Sequence, residues 1–253
     1  MTTSGPSEFR ALDALAVLLT GILILFAIAS VLPAKALVFA NVALPLGVVV
    51  GAGWRRRRAL PLVAPGRLGL LHALWTIVGA AGIFLVLVSL TDPLLKLFHH
   101  DYTPELEEVG REIQGLPKAV AWFLLVVFAP FCEETFFRGA LLKGFRNSWG
   151  AAAGIAASSA LFAAFHVLPP RMVATFLLGL WFGALAVRSG GLAAPMLAHA
   201  VNNALVLLLF EQEPVSVPTW MAAPGAAAVL LAGWRLFGRR AGSMQGLAPP
   251  GPS

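Results

Sequence analysis

The stretch AWFLLVVFAPFCEETFFRGALL, residues 121–142, is apolar over nearly its whole length, yet it carries Glu133, Glu134 and Arg138 within six residues. An apolar run of about 20 residues is the length of a membrane-spanning helix. Ionisable side chains at bilayer depth cost about 2.5–3.5 kcal/mol each even on the lenient insertion scale, so they mark function by default. The fold and the chemistry of the chain both turn on why two carboxylates and a guanidinium sit there.

The surrounding sequence supports the membrane reading. Of 253 residues, 58% are hydrophobic and only 12% charged, and the mean hydropathy is +0.83, which excludes an ordinary soluble domain. A formal net charge of +6 could suggest a nucleic-acid partner. Most of the cations, however, fall in short loops between apolar runs, where they report topology. Fourteen arginines against four lysines, in an alanine-rich chain, fit a high-GC bacterial origin. A single cysteine, Cys132, rules out an internal disulfide and a cysteine-rich zinc site. The N-terminus lacks the basic, apolar and small-residue order of a cleaved signal.

Eight apolar runs are long enough to be considered as spans: 11–32, 36–54, 68–91, 118–143, 150–168, 170–188, 191–210 and 217–237. The expected fold is therefore all-α, a single transmembrane domain of about eight helices over residues 1–253, with the motif-bearing half at 118–210. With eight spans, twelve cations fall on the side of the two termini: Arg10, Arg55 to Arg58, Arg67, Lys143, Arg146, Arg188, Arg235, Arg239 and Arg240. Five fall on the other side: Lys35, Lys96, Arg111, Lys118 and Arg171. The positive-inside rule then puts both termini in the cytoplasm, in the inner membrane of a bacterial cell. The Arg55–Arg58 run reads as a stop signal. In the long acidic loop 92–117, Thr103 and Pro104 open a short helix whose apolar face is Leu106, Val109, Ile113 and Leu116. The Gly- and Pro-rich tail 241–253 is expected to be disordered. Gly150 with Gly154, and Gly179 with Gly183, are small residues at four-residue spacing and predict close helix packing.

The polar residues inside these runs are few: Glu133, Glu134, Arg138, His166, His199, Asn202 and Asn203. Glu134 and Arg138 are i,i+4 and form a partly neutralised pair on one helix face, with Glu133 about 100° away and free to face a cavity. His199 and Asn203 share the same spacing, as do Phe162 and His166. If the loop after the fourth span is centred near Asn147, Glu133 lies fourteen residues before it and His166 nineteen after, a difference in depth of roughly 8 Å. His199 lies about 14 Å in from the Gly190-Gly191 turn. Pro130 removes a backbone bond to the carbonyl of Val126 and predicts a kink beside the glutamates. A glutamate beside a histidine can deprotonate a water for attack on an amide carbonyl. A second histidine and an asparagine can hold the resulting oxyanion. On spacing alone, either Glu133 or Glu134 can hold the water.

Glu133-Glu134-(three residues)-Arg138, Phe162-(three residues)-His166 and His199-(three residues)-Asn203, in that order, resemble the three motifs of the CPBP family. This family comprises the type II CAAX prenyl proteases and the bacteriocin-processing or Abi-type intramembrane glutamic endopeptidases. The resemblance covers about residues 118–210. It implies a proteolytic site in an eight-helix bundle, with no cofactor or metal. Glu133 and His166 would activate water, His199 and Asn203 would form the oxyanion hole, and Glu134 and Arg138 would support them. Partners implied are the lipid bilayer and a membrane-associated protein or peptide, such as a leader peptide or a C-terminal anchor; no nucleic acid is expected. Two rival readings stand beside it: a zinc protease with Glu133, His166 and His199 as ligands, and a non-catalytic membrane scaffold or immunity protein.

Overall fold

Helices account for nearly all of the computed structural model, which describes residues 9–31, 36–54, 64–66, 68–97, 115–210 and 217–238, with no strand among them. In chain order they are α1 (Ala11–Val31), α2 (Ala36–Trp54), α3 (Leu70–Ser89), α4 (Thr91–Leu97), α5 (Lys118–Trp149), α6 (Ala151–Ala164), α7 (Pro169–Ser189), α8 (Ala193–Phe210) and α9 (Ala222–Phe237), the last entered through a 3₁₀ turn at Thr219–Met221. Eight of these nine occupy the eight apolar runs; α4 was not expected. Among the described residues five segments are long and apolar enough to cross a membrane: Ala11–Ile28, α3, α5, α7 and Thr219–Phe237. The short helix expected over 103–116, the Arg55–Arg58 run, Arg67, Lys35, Arg111, Arg239, Arg240 and the tail 241–253 lie outside the described residues.

Two expectations need correcting. The run 150–168 is not helical throughout: α6 ends at Ala164, and 14 residues span only about 21 Å, short of the roughly 30 Å hydrocarbon core. The reason is local. Val167 adopts φ +59°, a left-handed conformation that costs a β-branched residue, and Pro169-Pro170 force the chain to restart. Likewise α5 does not stop near residue 143 but runs to Trp149, and the turn is made by Gly150 at φ +85°. A Cβ at Gly150 would meet nothing within 4 Å, so this glycine serves the turn and not the packing seam expected of it.

With the turn at Gly150, Glu133 lies seventeen residues before it and His166 sixteen after, so the depth mismatch expected from the sequence disappears. The other small-residue seam is observed. The Cβ position of Gly179 lies 2.9 Å from Ser159 Cβ and that of Gly183 lies 3.0 Å from Ile155, which brings α6 and α7 together.

The closest helix pair, α1 with α2, was not foreseen. A Cβ on Gly47 would lie 2.6 Å from Gly21 Cα, one on Gly51 2.6 Å from Val17 Cα, and Thr20 Oγ1 donates across the seam to the Gly47 carbonyl at 3.2 Å. Because the obstacles are backbone atoms, Gly47→Leu is expected to lower the stability of the folded protein by about 1–3 kcal/mol. Thermal unfolding in detergent micelles, compared with Gly150→Ala as a turn control, measures this; an unchanged midpoint refutes the seam.

The helices bury two apolar clusters. One joins α1, α2, α5 and α6 through Val17, Val48, Phe136, Phe137, Leu141 and Phe162. The other joins α3, α7, α8 and α9 through Ala80, Phe182, Leu185, Ala198, Ala232 and Leu236. Phe162 meets Phe182 across the boundary with ring centroids 6.4 Å apart. The polar residues singled out from the sequence collect at this boundary.

Candidate active site

Helix α5 departs from α-geometry on both sides of the glutamates, with π-helical turns at Phe123–Phe128 and Thr135–Leu142. Such wide turns are rare and cluster at functional sites. The first has a direct consequence. The Ala129 N–H bonds to the Leu124 carbonyl, five residues back. In that register the next carbonyl, Leu125, would take its bond from residue 130, which is a proline with no N–H. The Leu125 carbonyl is instead met by Asn203 Nδ2 of α8 at 2.8 Å. Pro130 therefore acts through an i−5 register and a freed carbonyl, and Asn203 ties α8 to α5 at that point. Asn202 Nδ2 donates to Asn203 Oδ1 at 3.3 Å, which sets the orientation of the Asn203 amide. Of the two neighbouring asparagines, Asn203 is the one that reaches α5.

One turn beyond Pro130 lies the charged cluster. Glu134 is fully buried, and its Oε1 accepts from Arg138 Nη1 at 3.0 Å and from His199 Nδ1 at 3.0 Å. The expected i,i+4 pair is thus real and also takes in a residue of α8. Arg138 continues the network by donating from Nη2 to the Gly179 carbonyl of α7 at 3.2 Å, so the Glu134–Arg138 pair ties α5, α7 and α8 together. Its planar face lies 4.4 Å from the Phe162 ring centroid and 5.4 Å from that of Phe182. Phe182 in turn stacks on the His199 imidazole, with centroids 5.0 Å apart and planes 21° from parallel. The His199 imidazole and the Arg138 guanidinium are thereby held in place by aromatic side chains as well as by hydrogen bonds.

Glu133 stands apart from that network, as its 100° offset predicts. Its Oε2 lies 3.8 Å from His199 Nε2 and has no hydrogen-bond partner among the described residues. His166 occupies the turn after α6. Its ring packs on Phe162 at 4.9 Å, and its Nδ1 donates to the Phe162 carbonyl at 2.9 Å. Because a carbonyl only accepts, the neutral ring carries its proton on Nδ1 and keeps the lone pair on Nε2. No direct hydrogen bond joins Glu133 and His166 among the described residues; the link between the two histidines runs through Phe162, whose ring also lies 5.9 Å from His199.

Of the six residues singled out, Glu134, Arg138 and His199 are thus in contact, Glu133 adjoins them, and His166 faces them across Phe162. Asn203 meets α5 at the Leu125 carbonyl, nine residues from Glu134, and makes no hydrogen bond to Glu133, Glu134, Arg138 or His199 among the described residues. Among the described residues no three His, Cys, Asp or Glu side chains gather as a metal ion would require, so Glu133, His166 and His199 do not form a ready zinc set. Cys132 is buried, as expected of a packing residue.

Three participants were missed. Phe182 carried no signal in the sequence beyond being one aromatic in an apolar run. The Gly179 carbonyl is a backbone group of α7, which no residue type announces. Arg171, counted as a loop cation, lies within electrostatic reach of both Glu133 and His166. Its position directly after Pro169-Pro170, five residues from His166, was the available hint.

Comparison with known proteins agrees with this geometry. Residues 115–205 match the family described as type II CAAX prenyl endopeptidase Rce1-like, an interval that contains all six polar residues. An uncharacterized 24.3 kDa protein of Escherichia coli is 32% identical over 159 residues, covering 60% of this chain and 71% of that protein. No solved structure matches. The chain belongs to the type II CAAX prenyl endopeptidase Rce1-like family, and is accordingly a membrane peptidase whose substrates are membrane-associated proteins.

Proposed function

We propose that the protein is an intramembrane endopeptidase of the glutamic type, in which Glu133 and His166 activate the hydrolytic water. The observation that carries this reading is the division of labour between the two glutamates. Glu134 is tied to Arg138 and His199 through Oε1, its Oε2 being buried without a partner, whereas Glu133 shares in neither bond and its Oε2, also unpartnered among the described residues, adjoins the His199 ring. Glu133 takes one proton from the water while His166 Nε2 orients it, and the hydroxide forms a bond to the scissile carbonyl carbon. The carbonyl electron pair moves onto oxygen. That oxyanion is met by donors on α8: the second N–H of Asn203 Nδ2 and, with the ring protonated, the Nε2–H of His199. Collapse breaks the C–N bond, Glu133 returns its proton to the leaving amine, and the products are a carboxylic acid, which then gives its proton to the amine, and the resulting ammonium. Glu134 and Arg138 hold His199 in register.

The remaining parts of the proposal rest on the sequence. They are one transmembrane domain in a bacterial inner membrane, both termini cytoplasmic, and a substrate that is a leader peptide or a C-terminal membrane anchor. Two measurements test the reading. Terminal proteomics of membranes from cells carrying wild type or His166→Ala, at equal expression, is expected to show a set of new termini lost in the variant. An identical set in both favours a binding protein. Cleavage by the purified wild type should persist in strong chelators; loss that added zinc restores would assign a metal mechanism instead.

A further inference from the structure

Away from the glutamates, where α3 begins and α7 and α9 end, lies a half-open cavity of about 530 Å³, within the range of small-molecule sites. It is lined by His72 and Trp75 of α3, Arg188 and Ser189 of α7, and Arg235 of α9. No part of the proposed proteolytic chemistry uses these residues.

The charges here are one-sided. Arg188 uses Nε to donate to the Leu236 carbonyl at 2.8 Å, which caps the end of α9 and leaves its Nη donors without a hydrogen-bond partner among the described residues. Arg235 lies 5.2 Å from the ring centroids of both Trp75 and Trp234. Neither arginine is within ion-pair distance of a carboxylate among the described residues. A cation at a helix C-terminus is explained by the helix dipole alone. Two from different helices that line one cavity, with a histidine and a hydroxyl beside them and no anion to balance them among the described residues, are a receptor for an oxyanion. The uncapped first turn of α3, whose Gly69 supplies no side-chain acceptor, adds unpaired backbone N–H groups at the same cavity.

The outer surface beside the cavity identifies the kind of anion. Leu70, Leu71 and Leu74 of α3, with Leu230, Leu231 and Trp234 of α9, are exposed large hydrophobic residues on two helices that pack against each other. A tryptophan at such a level suits the membrane–water interface. Basic donors at a helix end with an apolar exterior running away from them match the two halves of a lipid. We propose that this cavity binds the phosphate headgroup of an anionic phospholipid, with its acyl chains along the exposed faces of α3 and α9.

The test uses the full-length protein in nanodiscs and in detergent. Lipid retention by native mass spectrometry is compared for phosphatidylglycerol and phosphatidylcholine, beside thermal shifts with inorganic phosphate. Wild type is expected to prefer phosphatidylglycerol. Arg235→Gln, which leaves the Arg188 cap in place, should weaken that preference about fivefold, as one interfacial cation implies, and Arg235→Lys should restore most of it. Equal retention of the two lipids, or an unchanged preference in Arg235→Gln, overturns the proposal. A thermal shift with inorganic phosphate but no lipid preference also overturns it, and assigns the cavity to free phosphate.

Discussion

Glu133→Gln is expected to lower the rate of peptide-bond hydrolysis by about 10²–10⁴-fold, the usual contribution of a positioned general base, with little change in stability. The amide preserves the shape of the side chain but cannot accept the proton of the water. Because Glu133 is not part of the Glu134–Arg138–His199 hydrogen-bond network, the substitution leaves that network intact. Removing the charge from a buried oxygen that has no protein partner is itself close to neutral for folding. The assay is cleavage of a membrane-anchored peptide in liposomes, with unfolding followed in parallel. Glu134→Gln serves as the comparison: it weakens both bonds to Glu134 Oε1 and should lower stability and activity together. Full activity in Glu133→Gln, with activity lost in Glu134→Gln at unchanged stability, would transfer the water-activating role to Glu134.

Arg138→Ala should destabilise the folded protein by about 3–5 kcal/mol, the range for removing one partner of a buried ion pair. The guanidinium neutralises Glu134 at the centre of the bundle, bonds the Gly179 carbonyl and is sandwiched among aromatic rings, so its loss strands a carboxylate and opens a void. Arg138→Lys keeps the charge but cannot reach Glu134 and Gly179 at once with a planar fork, and should recover only part of the loss. The double variant Glu134→Ala with Arg138→Ala should cost less than the sum of the two single changes, because neither then leaves an unpaired charge. Denaturant or thermal unfolding in micelles measures the cycle. Unchanged stability in Arg138→Ala would show that the pair does not hold the three helices together.

Much of this site was legible before any folding was considered, because its energetic signature is local. Three charges in an apolar run stand out without knowledge of neighbours, and the four-residue spacing of Glu134 and Arg138 was enough to pair them. The same spacing between His199 and Asn203 told less. It placed both on one face of α8, but it could not show that the wide turn before Pro130 frees the Leu125 carbonyl and draws Asn203 to it. The depth of His166 was misjudged for a similarly local reason. Lys143–Trp149 has no strong break, so α5 continues to the first residue that can adopt a positive φ, Gly150.

The amino-acid sequence by itself determined an all-helical membrane protein, the places of eight helical runs, and the few polar groups that lipid would not tolerate without a purpose. Hydropathy suffices for that, since every backbone polar group in a bilayer must be satisfied within a helix. Tertiary structure alone decided which helices touch. It set the Gly47–Gly21 seam, His199 Nδ1 against Glu134 with Glu133 outside that hydrogen bond, and Phe182 beneath the histidine. The physical reason is that lipid tails and leucine side chains are equally apolar, so hydrophobicity cannot distinguish a lipid-facing surface from a helix-facing one. That choice rests on the shapes of small residues and on the few hydrogen bonds that one helix can offer another.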